Sequence, residues 1–385
     1  MARPFTVIDF SKLLPGPFCT MVLADLGLRV VRVELPHWPD MLRGHGPKAA
    51  GLGYAYWMAN RGKESLCLDF RAPSSRRALD KILASADALV EGFRPGTMDK
   101  LGLGWDAVRR RFPRLVYASI TGYGDSGAGS RRAGHDLNFL AEAGYFTEGA
   151  AVPPFQGADL SGALYAASGV LAALLRRGPA GRGRRVSVSM TEAAHSWLAL
   201  ESGFAYAVGR PPAADEAWWR GRMHPCYRLY TAKDGGRLAV AALEPPFAVA
   251  MLRHLGLERL EADVRSEEPR RMARVARALE AVFCRQPLAY WRKSFAKTDC
   301  CVTPVLTAAE ARRDARARGQ ELSLRGQDGR RWPLQRSPVR LSGAEPAPTP
   351  PPLLGADSAA VLRRAGVSAK EIAALSKSGL LGTGK

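Results

Sequence analysis

The segment from residue 5 to residue 34 constrains this chain more than any other. Phe5-Thr-Val-Ile-Asp9 and Arg29-Val-Val-Arg-Val-Glu34 are short β-branched runs, and Phe18 to Leu26 between them carries helical spacing that ends at Gly27. A strand, a helix of roughly ten residues and a second strand make a parallel pair, because antiparallel neighbours need only a tight turn. Pro15 to Pro17 predict a loop ahead of the helix. The alternation then repeats: strands over 65–69, 88–91 and 115–120 are interleaved with helices over 74–86 and 105–112. The chain is therefore α/β with a parallel sheet. Its first turn carries no G-x-G-x-x-G, so a dinucleotide does not follow from the fold class.

In such sheets ligands bind in the crevice beyond the carboxyl ends of the strands. Arg43, Arg61, Lys63 and Arg94, with Asn60 beside them, fall near those ends and are expected to ring a phosphate-bearing ligand through charge-assisted hydrogen bonds. The formal charge of +20 (56 Lys and Arg against 36 Asp and Glu) is spread over nearly every segment and reads first as a solvated, Arg-rich surface; among functional readings a polyanionic small ligand fits best. No basic stripe interleaves with aromatics, so no nucleic-acid partner is expected. The six cysteines show no C-x-x-C and no metal-like spacing with histidine, so no metal is expected and the thiols read as reduced. Met1 leads directly into a strand pattern without an apolar leader, and no apolar run approaches the roughly 20 residues of a membrane span. The expectation is a cytoplasmic protein with no membrane partner.

The chemistry gathers between Gly134 and Gly162. His135 is followed by Asp136, a carboxylate placed to orient or charge-stabilise an imidazole. Asp159 precedes an apolar run over 163–175 that reads as a buried helix, so it belongs at or near a helix N-terminus. There the dipole and free N–H groups would stabilise its carboxylate, and an N-cap role competes with a functional one. Further on, the sequence predicts a strand over 185–190, a helix capped by Thr191 and Glu192 and reaching about Val208, and a linker over 209–214. A hairpin over 227–242 turning at Lys233-Asp-Gly-Gly236 comes next, and helices dominate to about 318. Pro-rich residues 344–352 predict an extended connector, followed by helices over 358–365 and from 369.

Several motifs share a further property. Asp9-Phe-Ser-Lys-Leu-Leu-Pro-Gly-Pro17 through Gly27, Asn60-Arg-Gly-Lys63, Glu91-Gly-Phe-Arg-Pro-Gly96, Leu101-Gly-Leu-Gly104, Thr121-Gly-Tyr-Gly124, Asp299-Cys-Cys-Val-Thr-Pro-Val305 and Pro352-Leu-Leu-Gly-Ala-Asp357 occur in this order. Together they resemble the class III CoA-transferase family, which includes the alpha-methylacyl-CoA racemases. The resemblance implies a Rossmann-like large domain built from residues 1–210 and 326–385, with a smaller α+β domain inserted over 211–325. It also implies an interlocked homodimer whose acyl-CoA site lies between one subunit's large domain and the other's small domain. No permanently bound cofactor is implied; coenzyme A enters as part of the substrate and accounts for the strand-end cations.

Two chemistries follow from the resemblance. In the transferases, an aspartate matching Asp159 attacks the thioester and carries the acyl group covalently. The racemases are matched more closely at Gly134-His-Asp-Leu-Asn138, Asp159 and Glu244-Pro-Pro-Phe247. In that case His135 and Asp159 face opposite sides of the α-carbon, one removing the proton and the other returning one, while Glu244 and Asp136 tune His135. Leu160-Ser161 stands where the racemase pattern is glycine-rich, so transfer remains the alternative.

Overall fold

The central strands are buried on both faces, and their residues divide cleanly between two cores. Val7, Val30, Ala88, Val90, Val116 and Ala118 point to one side, against helices Pro15–Asp25 and Gly157–Arg177. Ile8, Val31, Val33, Leu66, Leu68 and Leu89 point to the other, with Leu79 and Leu83 of helix Arg76–Ser85 and Leu362 of helix Ser358–Arg364. Successive side chains of a strand alternate between faces, so uninterrupted apolar runs of this kind belong to a sheet covered on both sides. The computed structural model of the 385-residue chain describes residues 3–146, 150–178, 181–213, 216, 224–266, 268–342 and 347–382.

The chain divides into two compact units, one of Met1–Leu198 with Arg318–Lys385, the other of Ala199–Ala317. The first holds a seven-stranded sheet. In spatial order its strands are Leu381–Gly382, Lys63–Leu68, Arg29–Glu34, Thr6–Asp9, Ala88–Glu91, Val116–Thr121 and Arg185–Ser189. All neighbours are parallel except the two-residue edge strand, which pairs antiparallel with Lys63–Leu68. Chain order reverses between Thr6–Asp9 and Ala88–Glu91, which makes the gap beyond their carboxyl ends the topological switch point. The second unit holds an antiparallel sheet of Val302–Pro304, Arg237–Ala241 and Tyr227–Thr231. Its core is Tyr230, Leu238, Val240, Met251, Leu279, Phe283 and Trp291.

Several local expectations change. The helix begins at Pro15, because a proline in the first helical turn forfeits only an N–H that has no intrahelical partner. Gly16 is required in that turn: a Cβ there would lie 2.1 Å from Ser11 Cβ. The helix expected over 191–208 is two, Met190–Ser196 and Ala199–Val208, and Ser189 rather than Thr191 caps the first by accepting the Glu192 N–H. The apolar run over 163–175 is the middle of a 21-residue helix, Gly157–Arg177, long and apolar enough by length and composition to cross a membrane, contrary to the sequence reading. Half of its apolar window is buried, and small residues make that close packing possible: a Cβ on Gly169 would meet Val186 Cγ1 at 2.5 Å. Residues 179–180, 214 and 344–346, parts of the expected turn, linker and connector, lie outside the described residues, and 347–353 carry no regular secondary structure.

The strand ends on one side of the switch point are held by charge. Asp9 accepts hydrogen bonds from Thr20 Oγ1 (2.6 Å), Lys63 Nζ (3.2 Å) and Arg32 Nη1 (3.4 Å), and one from Ser11 Oγ. Arg32 also binds Asp40 at 2.5 Å, and Arg43 binds Glu34 with Nε and Nη2. Burial alone would raise the Asp9 pKa, but the Lys63 and Arg32 charges and the two hydroxyls outweigh it and hold the pKa below its usual value. Asp9→Asn should leave two buried cations short of a partner and destabilise the fold by about 3–5 kcal/mol, read as a shift in the denaturant midpoint.

Candidate active site

A cavity of about 850 Å³ opens at the switch point. Its walls come from Leu13 and Leu14 after the first strand, Phe93 and Arg94 after Ala88–Glu91, and Thr121 and Gly122 after Val116–Thr121. His135 and Asp159 both line it. All of the lining belongs to the first unit.

His135 immediately precedes helix Asp136–Glu142, and its backbone N–H donates to Asn138 Oδ1 at 3.1 Å. The approach to it is shaped by aromatic packing. The Tyr123 and Phe139 rings meet edge to face at 5.1 Å, and the Arg132 guanidinium lies 4.2 Å from the Tyr123 centroid. Gly122 and Gly134 leave room for Phe139: a Cβ would sit 2.4 Å and 2.7 Å, respectively, from its ring.

Asp159 is the third residue of helix Gly157–Arg177, while Gln156 takes the N-cap position without a side-chain cap bond. The cap comes instead from Asp136, whose Oδ1 accepts the N–H groups of Ala158 (2.7 Å) and Asp159 (3.1 Å). This corrects one expectation, since Asp159 is not the cap, and it gives the Asp136 carboxylate a partner that the sequence did not suggest, the N-terminus of this helix. One side chain thereby ties the residue next to His135 to the first turn that carries Asp159. The N–H groups expected to stabilise Asp159 serve Asp136, and burial, followed by the Asp136 charge, pushes the Asp159 carboxyl up to about 7. Near neutral pH it can both give and take a proton.

The expected phosphate ring divides. Arg94 is exposed and lines the cavity; Arg61 lines it too, with its guanidinium paired to Asp25 at 3.0 and 2.5 Å. Arg43, Asn60 and Lys63 are buried in internal partnerships: Arg43 with Glu34 and the Pro352 carbonyl, Lys63 with Asp9, the Pro17 carbonyl and Asn60, and Asn60 also with the Tyr56 carbonyl. The cause is local, since Asp9 and Glu34 at the strand ends need cations of their own. Glu244 is exposed and heads helix Pro245–His254 in the second unit. Among the described residues, no group of three His, Cys, Asp or Glu side chains is arranged to hold a metal. Sequence reasoning missed Lys12 and Arg132 in the lining; glycines 122 and 134, spaced around an aromatic loop, are the signal that marks the second.

A doubly wound sheet thus brings an imidazole and a carboxyl of raised pKa to one switch-point cavity. The chain belongs to CoA-transferase family III, whose model matches residues 4–358. It is 32% identical to alpha-methylacyl-CoA racemase from Homo sapiens over 99% of this chain and 97% of that protein. It is also 31% identical to acetyl-CoA:oxalate CoA-transferase from Acetobacter aceti, over 79% and 80% of the two. Among solved structures, a CAIB/BAIF family protein from Brucella suis superposes with a TM-score of 0.80 at 26% identity, over 94% of this chain and 98% of that one. The chain is thus an enzyme of a CoA-using family with both racemase and transferase relatives.

Asp159→Asn separates burial from chemistry. Because the folded pKa lies above the unfolded one, the wild type loses stability as pH rises from about 4 to about 7, where the buried carboxyl ionises. The substitution should remove that loss, roughly 1.4 kcal/mol for each unit between the two pKa values, and so raise stability by up to about 4 kcal/mol at pH 8 and by less than half of that at pH 5, read by thermal unfolding at both.

Proposed function

We propose that this enzyme racemises or epimerises a 2-methylacyl-CoA thioester, with His135 and Asp159 as the two proton-transfer groups. The observation that carries the reading is the Asp159 carboxyl, pushed up to about 7 in a cavity it shares with His135. Inverting a carbon centre needs a base on one face and an acid on the other, and the roles exchange for the opposite enantiomer. A carboxyl permanently ionised at neutral pH makes a poor acid; one near 7 serves both directions. The α-proton is removed by one group, the electron pair delocalises onto the thioester oxygen, and the other group delivers a proton to the opposite face. Arg94, exposed in the lining and with no carboxylate partner among the described residues, is the cation best suited to the phosphates of coenzyme A.

The second reading is CoA transfer with Asp159 as acyl acceptor, and the Acetobacter relative favours it. It needs Asp159 as an ionised nucleophile and gives His135 no obligatory proton to move.

We also infer a homodimer in which the 199–317 unit is a domain inserted in the large one and Glu244 of the partner subunit reaches His135. The resemblance of the chain to its family supports this, as does the exposure of Glu244 at the head of its helix. The protein would act in the cytoplasm.

The test is α-proton exchange. Enantiopure 2-methylacyl-CoA thioesters incubated in D2O should gain one deuterium at the α-carbon as they lose chirality. His135→Ala and Asp159→Asn should each slow this by about 10²–10⁴-fold. No exchange, together with CoA transfer to an added carboxylate that survives His135→Ala but not Asp159→Asn, would overturn the racemase reading.

A further inference from the structure

We propose that Glu91 is a positioning residue for substrate binding, holding the turn that presents Arg94 to the cavity. The inference rests on the reading of Arg94 as a ligand of the coenzyme A phosphates.

Glu91 ends strand Ala88–Glu91 at the switch point and is 6% exposed. Its Oε2 accepts the Phe93 N–H at 2.8 Å. Three residues beyond Arg94, the Thr97 N–H donates to the Arg94 carbonyl at 3.0 Å, and Gly96 takes the left-handed conformation (φ +87°) that lets the turn close. The backbone of Arg94 is therefore pinned on both sides. Its side chain is exposed and lines the cavity. Arg43, Arg61 and Lys63 each face a carboxylate of the fold, whereas Arg94 forms no such pair among the described residues.

A carboxyl at position 91 is costly. Burial pushes it up to about 7, and of the charged groups that act on it Asp125 and Asp99 are negative, with Arg185 the positive one. An apolar side chain of similar volume would sit there more cheaply. What the carboxyl supplies is the acceptor for Phe93, one residue ahead of Arg94. A pre-set arm avoids part of the ordering cost that a mobile arginine incurs when it binds an anion.

The test is calorimetric binding of free coenzyme A to the full-length protein. Arg94→Ala should weaken binding about tenfold or more, and Glu91→Leu about threefold or more with no fall in melting temperature. Glu91→Gln, which keeps an acceptor oxygen, should bind within about twofold of wild type. Because Glu91 acts through Arg94, Glu91→Leu should add nothing in the Arg94→Ala background. Equal weakening by Glu91→Leu in both backgrounds, or unchanged binding in the wild-type background while Arg94→Ala weakens it, would overturn the positioning role and leave the reading of Arg94 intact. Unchanged binding by Arg94→Ala would overturn that reading and this inference with it.

Discussion

The site depends on a single carboxylate. Asp136 accepts two N–H groups from the first turn of Gly157–Arg177, and in doing so joins segments more than twenty residues apart. A helix N-terminus without a side-chain cap of its own attracts an anion, and here the anion comes from the residue after His135. The same contact adds to the chemistry. Burial is the larger reason that Asp159 holds its proton, and the Asp136 contact reinforces it by occupying the amides that would otherwise favour an ionised Asp159 and by putting a like charge nearby.

Around that contact the fold divides its labour across the switch point. On one side, Asp9, Arg32, Glu34, Asp40, Arg43 and Lys63 form a buried cluster of three negative and three positive groups. It closes the strand ends with the protein's own charges. On the other side lie the Glu91–Arg94 turn, the glycine-flanked Tyr123–Phe139 pair and the Asp159 helix, with few internal ion pairs and an open cavity. The small residues of Gly157–Arg177 bring the helix close to the sheet: Gly162 faces Met190, a cavity residue, where a Cβ would lie 2.7 Å from Cγ.

Much of this was legible in the sequence. The β-branched run at 29–34 and the short apolar run at 88–91 matched the strands to the residue, and the hairpin fell where Lys233-Asp-Gly-Gly236 called for it, because strand periodicity and turn chemistry are local. His135 and Asp159 were legible as a pair that shares a cavity. The partners of charged groups were not. Arg43 and Lys63 look like Arg94 in sequence, and only the pairing of strands reveals that Glu34 and Asp9 claim them. Asp136 sits beside His135 along the chain yet faces a helix 22 residues on, a contact with no local signature. The helix start at Pro15 was hidden for a different reason, since prolines that end a helix also begin one.

The proton affinity of Asp159 decides which chemistry the cavity can do, and an NMR titration of aspartate carboxyl carbons, assigned with Asp159→Asn, measures it directly. The expected result is a midpoint near 7 in the wild type that moves down in Asp136→Asn, where the like charge is gone. A midpoint near the ordinary carboxylate value of about 4 would contradict it. Asp159 would then be a permanently ionised group, suited to nucleophilic attack and unable to return a proton.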